Sequence, residues 1–228
     1  YMNIALNIAG VSYNDGTRGG RYRNYETALD SMYEFVINPL RAEGHTLTTH
    51  LCTYPSEKSA KLQRDYDATT YTELWSEDIP YNQLGGGDRV DGRWKAISKT
   101  FYDSLTAIES LSNYDVVIST RFDIKFHQNP FKVYQFDWTK CNFLWREPEY
   151  VHLPIVNDTF IVFPHHMIAH MKQAIHIMET NPPNGVSIGM HNLYLSLAQV
   201  ISPNEIQWVC DEFVTSIDNI LYTLTRHD

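Results

Sequence analysis

The chain has 228 residues, 43% hydrophobic and 20% charged, which suits one folded domain able to build its own core without disulfides or a structural metal. Its 18 basic and 27 acidic side chains give a net charge of −9, which argues against nonspecific nucleic-acid binding, because that depends on Lys and Arg neutralising phosphates. Three widely spaced cysteines with no CxxC argue against a thiolate zinc site and for a reducing compartment, and no apolar run is long enough to span a membrane. Met2 reads as the natural start, with Tyr1 an addition and no leader ahead of the first strand. Residues 1–228 are therefore expected to form a single cytoplasmic-type domain, with room for more chain beyond it.

Met2–Ala9 (MNIALNIA) is a short apolar run that gives way at Gly10 to a polar, glycine-rich loop, the pattern of a buried strand entering a loop. That loop, Gly10–Asn24, holds Arg18, Arg21 and Arg23. Tyr25 to Leu40 carries Leu29, Met32, Tyr33, Val36 and Leu40 at helical spacing, with Pro39 near its end. Thr46–Tyr54 is β-branched and aromatic and stops at Pro55, a second strand. Strand, helix and strand in this order predict the βαβ unit of a parallel sheet.

Ser56 to Asp78 is polar and predicts one helix, and Tyr81–Gly92 predicts a loop with three consecutive glycines. Arg93 to Leu111 places Trp94, Ile97, Phe101, Leu105 and Ile108 on one helical face. Tyr114–Ser119 (YDVVIS) is the strongest strand signal in the chain and runs into TRFDIKF. Asn142–Trp145 and Asn157–Phe163 (NDTFIVF) predict further strands, Ile168–Met178 and His191–Val200 helices, and Glu205–Cys210 and Ile217–Leu224 late strands, the last with a helix as its alternative. The whole predicts an α/β domain with a mostly parallel central sheet flanked by helices.

Ligands of open α/β sheets sit outside the carboxyl ends of the strands. Three polar segments fall at such ends. In TRFD, an apolar strand ends by presenting Arg121 and Asp123, two residues apart and on one side if the chain stays extended. Asp123 is a candidate ligand for a hard divalent cation, and Arg121 offers a planar fork of donors to a diphosphate. The structural alternative is an Arg–Asp pair capping the strand. In the first loop, Gly10 and its neighbours leave backbone N–H groups to face an anion, and Arg18, Arg21 and Arg23 add positive charge. The alternative is a solvated loop, and neither a P-loop nor a GxGxxG pattern is present. Asp158, at the head of NDTFIVF, is a candidate general base or a turn cap. His191, after Gly189-Met190 at a helix start, is a candidate metal or phosphate ligand.

Four segments, NIALNIAGVS, INPLRAEGHTLTTHLCTY, NYDVVISTRFDIKF and VNDTFIVFP, resemble in order the GT-A-fold glycosyltransferases, in particular small sugar transferases of large algal viruses and of bacterial surface-glycan clusters. The resemblance implies a single GT-A domain, Rossmann-like, over residues 1–228. It implies transfer of a sugar from a UDP- or GDP-linked donor to an oligosaccharide or glycoprotein acceptor, in synthesis of a surface or capsid glycan. It also implies the host cytoplasm, if the protein is viral, and Mn²⁺ or Mg²⁺ held at a DxD motif. Here that position reads Arg121-Phe122-Asp123, so the first carboxylate is replaced by a guanidinium. Two alternatives stay open: a non-catalytic carbohydrate- or nucleotide-binding module, and a sugar nucleotidyltransferase.

Overall fold

The computed structural model describes residues 1–16, 22–74, 90–111, 113–148, 152–183, 189–215 and 217–225, with the backbone alone for 90–96. Strand β1 (Asn3–Gly10) shows how the sequence builds the centre. Because successive side chains of a strand point to opposite faces, Ile4, Leu6 and Ile8 enter one core and Ala5, Asn7 and Ala9 face the other way. The three large side chains are fully buried, each worth about 1.5–3 kcal/mol in removed apolar surface. The small ones let a helix lie close to the sheet.

After β1 come two antiparallel strands of two residues each, β2 (Tyr13–Asn14) and β3 (Arg23–Asn24), and then a helical run from Glu26 to Ala42. That run is α1 (Glu26–Met32), a π turn (Tyr33–Ile37) and α2 (Asn38–Ala42). Pro39 accounts for the interruption. Proline has no N–H, and its ring would collide with the carbonyl four residues back. The Asn38 N–H bonds the Tyr33 carbonyl, five residues back, which is the π pattern. Met32, Val36 and Leu40 still reach the core beside Ile4, Leu6 and Ile8.

Next follow β4 (Thr46–Thr53), α3 (Ser59–Asp65), β5 (Ala68–Glu73), α4 (Val90–Glu109), β6 (Val116–Thr120) and β7 (Ile124–Phe126). The chain then forms α5 (Pro130–Val133), β8 (Cys141–Phe143), β9 (Phe160–Pro164), α6 (Ile168–Thr180), α7 (Leu193–Leu197), β10 (Ile206–Trp208) and β11 (Tyr222–Leu224). Seven strands form one sheet in the order β5-β4-β1-β6-β9-β8-β10. All neighbours are parallel except β9, which is antiparallel to both β6 and β8. Phe101, Leu105 and Ile108 of α4 and Met171 and Ile175 of α6 cover the face that carries Ala5 and Val117. The fold is α/β and Rossmann-like, with a mostly parallel sheet flanked by helices.

Four expectations are corrected. The segment Ser56–Asp78 holds a strand, β5, besides its helix; its half-exposed, threonine-rich pattern is that of an edge strand without an apolar face. TRFDIKF is not continuous: β6 stops at Thr120, Arg121–Asp123 form a turn, and β7 pairs with β11 in a separate two-stranded sheet. Asn157 to Thr159 precede β9 rather than opening it. The helix expected from His191 is a short 3₁₀ turn, Gly189–Asn192, before α7. The triple-glycine loop expected at Tyr81–Gly92 lies outside the described residues as far as Asp88-Arg89.

His50, on β4, ties three elements together. Its Nδ1 is 2.8 Å from the Thr70 hydroxyl of β5 and its Nε2 is 2.9 Å from the Tyr114 hydroxyl ahead of β6. Burial lowers its pKa from 6.5 to about 4, so the ring stays neutral at pH 7. A depressed histidine contributes stability that is complete above the unfolded value near 6.5 and is lost as pH falls towards 4. The loss from this one residue is about 3 kcal/mol at most. Denaturant unfolding of wild type and His50→Gln between pH 7 and pH 4 should give curves that converge as pH falls. A constant difference across that window would show that His50 does not titrate between the folded and unfolded states.

Candidate functional site

The carboxyl ends of β1, β4 and β6 open onto one cleft, whose space counted out to its open mouth is about 860 Å³. Ala9, Gly10 and Val11 line it from β1, Tyr54 from the end of β4, and Ser119 to Asp123 from the end of β6 and the turn after it. Ile97, Thr100 and Phe101 of α4 form an apolar wall, and Arg23, Asp158 and Met190 complete the lining.

Each charged side chain is placed by an identifiable local device. Gly10 has φ +128, a conformation that side chains disfavour, and no atom lies within 4 Å of where its Cβ would be. It lets β1 turn sharply out of the sheet. The Ser12 N–H then donates to Thr53 Oγ1 at 3.1 Å, and that hydroxyl donates to Ser12 Oγ at 2.9 Å. This double link fixes the loop to the end of β4, and the β2–β3 hairpin delivers Arg23 to the cleft. In the turn after β6, Phe122 is buried edge-on against Tyr66, so its neighbours Arg121 and Asp123 are held at the mouth. Asp158 sits on a loop held from two sides. Thr120 Oγ1 donates to the Thr159 carbonyl at 3.1 Å, and the buried Tyr222 hydroxyl donates to Asn157 Oδ1 at 3.2 Å. The Tyr222 ring stacks on Trp145.

Arg121 is the hub. Its Nε and Nη2 donate to the two oxygens of Asp123 at 2.9 and 2.8 Å. Its Nη1 is 3.7 Å from Asp158 Oδ1, and Arg23 Nε is 3.8 Å from Asp123 Oδ2. The side chains of Asp123 and Asp158 are only 7% and 6% exposed. Burial works against the Arg121 charge, but Asp123 and then Asp158 outweigh it and hold its pKa above the ordinary value. The four groups sum to zero charge, two positive and two negative.

Of the sequence-derived candidates, Gly10, Arg23, Arg121, Asp123 and Asp158 meet at this cleft. Arg18 and Arg21 lie outside the described residues. His191 does not line the cleft: its Nδ1 donates to the Val156 carbonyl at 2.7 Å, and its own carbonyl accepts from Val156 N–H at 3.0 Å. That pairing selects the tautomer with the proton on Nδ1 and makes His191 a brace for Val156, two residues before Asp158. Sequence reading named Thr120 with Arg121 and Asp123 at the tip of the strand, and passed over Tyr54, Ser119 and the α4 wall. Tyr54 and Ser119 carried a usable signal, lying where strands reach the sheet's carboxyl edge. Thr100 and Phe101 carried none, since they read as ordinary helix positions.

A divalent ion was expected at Asp123, with His191 as a second ligand. The donor set does not fit one. Both Asp123 oxygens accept from a guanidinium and a second guanidinium lies nearby, whereas Ca²⁺, Mg²⁺ and similar ions need several oxygen ligands free of competing cations. Among the described residues, no group of three or more His, Cys, Asp or Glu side chains could hold an ion. Among the same residues, no helix is long and apolar enough to cross a membrane. No protein-family model matches the chain, and no curated protein matches it.

Arg121→Ala would strand two nearly buried carboxylates. Breaking a buried pair from one side costs about 3–5 kcal/mol, and the partial exposure of Arg121 sets the expectation near the lower end. For a chain of this size, each kcal/mol lowers Tm by roughly 2–4 °C. Calorimetric unfolding is the check. A loss below about 0.5 kcal/mol, the range of ordinary surface changes, would mean that solvent already screens the cluster.

Proposed function

We propose that the chain is a nucleotide-sugar-dependent glycosyltransferase of the GT-A type, moving a sugar from a UDP- or GDP-linked donor to a hydroxyl of an oligosaccharide or glycoprotein. One observation carries this reading: Arg23, Arg121, Asp123 and Asp158, from three separate stretches of chain, converge with Gly10 on a single cleft at the carboxyl edge of the parallel strands. That edge is where open α/β sheets take their ligands. The likeness of the four sequence segments to that family supports the same conclusion. The cleft also has the right division of character. Ala9, Val11, Tyr54, Ile97 and Phe101 offer an apolar and aromatic slot for a base, and the arginines stand where a diphosphate would leave.

In the proposed reaction the bond between the sugar's anomeric carbon and the donor phosphate oxygen breaks, and a bond from that carbon to the acceptor oxygen forms. The acceptor hydroxyl gives up its proton and the nucleoside diphosphate departs with the electron pair. The reacting carbon passes through an oxocarbenium-like state. Arg121 and Arg23 stabilise the charge that grows on the leaving phosphate, the kind of preorganised electrostatic help that accounts for much of enzymatic rate enhancement. Asp158, on the β9 side of Arg121, is the base for the acceptor hydroxyl.

One feature favours a second reading, a module that binds the same ligands without turning them over: both Asp123 oxygens are already engaged. Incubation with UDP- and GDP-sugars and a panel of saccharide acceptors, followed by NMR of the anomeric signal, separates the two. Transfer is expected, and Asp158→Asn should slow it by about 10²–10⁴-fold with donor affinity nearly unchanged. Donor binding with no transfer to any acceptor supports the binding module. Consumption of a nucleoside triphosphate with release of pyrophosphate would make the protein a nucleotidyltransferase instead.

A further inference from the structure

We infer that the cleft binds its diphosphate without a divalent cation, and that Asp123 acts as a positioning residue that clamps Arg121 rather than as a metal ligand. The inference rests on the reading above that a nucleoside diphosphate is the ligand. It goes further by saying what neutralises that ligand.

The geometry assigns the roles. A guanidinium carries five N–H donors in a rigid plane. Arg121 spends one on Nε and one on Nη2 to reach the two oxygens of Asp123, so the plane is fixed at two points. The other Nη2 hydrogen and one Nη1 hydrogen point from the end of the plane, the second Nη1 hydrogen points to the Cδ side, and Nη1 stops 3.7 Å from Asp158, beyond a hydrogen bond. Arg121 lines the cleft. An anionic oxygen entering there can therefore take hydrogen bonds from Arg121 while Asp123 keeps its own pair. Arg23, with its Nε 3.8 Å from Asp123 Oδ2, adds a second cation to the lining. A divalent ion at Asp123 would have to break the bidentate pair and sit beside two guanidinium charges. At a few ångströms that repulsion is severe in a partly buried site.

Isothermal calorimetry of the wild-type chain with UDP and with GDP, once in EDTA and once in excess Mn²⁺ or Mg²⁺, tests the inference directly. The expected result is an affinity in EDTA within about threefold of that in metal, a difference well under the tenfold that corresponds to 1.4 kcal/mol. Arg121→Lys keeps the charge and loses the fork, and it should weaken binding by about tenfold or more in both conditions. Its far-ultraviolet circular dichroism and Tm report whether the variant is folded, and the wild-type metal comparison stands without it. Binding that appears only with metal, or tightens by about tenfold or more when metal is added, overturns the inference while leaving the transferase reading intact. A folded Arg121→Lys chain that binds as wild type overturns the clamp. If neither nucleotide binds in either condition, the reading on which the inference rests falls with it.

Discussion

The open end of the sheet is organised by one ion pair that the fold must both bury and leave accessible. Where β6 stops, the chain turns through Arg121-Phe122-Asp123, and the guanidinium of the first residue closes on the carboxylate of the third. A pair so close in sequence costs little entropy to form. It is driven into place by Phe122, which anchors the turn in the core against Tyr66. Asp158 and Arg23 then arrive from elsewhere and find charges already set. Without Arg121, two carboxylates with 7% and 6% exposure would lose the cation that lies beside both.

The arrangement around the pair is correspondingly polar and braced. Asn7, fully buried at the middle of β1, donates to Ser104 of α4 and Ser119 of β6 and so links sheet, helix and cleft floor. Thr120 and Tyr222 hold the Asp158 loop from two sides, and His191 holds Val156 just before it. Buried polar contacts of this kind add little net stability each, but an unmade one is expensive, so they discriminate strongly against alternative placements. The sheet supplies the frame, and these links set the positions of the charged groups to within a hydrogen bond.

Most of the fold was legible because its central strands and helices are strongly patterned. β1, β4, β6 and β9 lie in apolar or β-branched runs, and α4 and α6 show an unbroken apolar stripe. β5 was not legible: an edge strand needs no buried face, and its threonines were the only cue. The π turn was hidden in Pro39, whose effect inside a helix depends on whether packing keeps the helix going. At the site, the carboxyl-edge rule found Gly10, Arg121, Asp123 and Asp158 and the loop that contains Arg23. It left two meetings of Arg121 and Asp123 open, a shared ligand or an ion pair capping the strand, and the structure has the pair. Spacing alone placed Arg121 and Asp123 side by side on an extended strand, a geometry equally suited to a shared ligand. The turn folded them onto each other, and that contact changed Asp123 from a metal candidate into the partner of a guanidinium. His191 looked like a ligand only because nothing in the sequence shows that Val156 lies against it.

The central claim is that Arg121, held by Asp123, is the anion-binding group of this cleft. A crystal structure of the chain grown with UDP or GDP tests it most directly. The account predicts phosphate oxygens within hydrogen-bond distance of Arg121, with the Arg121–Asp123 pair still bidentate and the base against Tyr54 and the α4 wall. A nucleotide seated elsewhere, or a phosphate bound with Asp123 turned away from Arg121 and onto a cation, would contradict it.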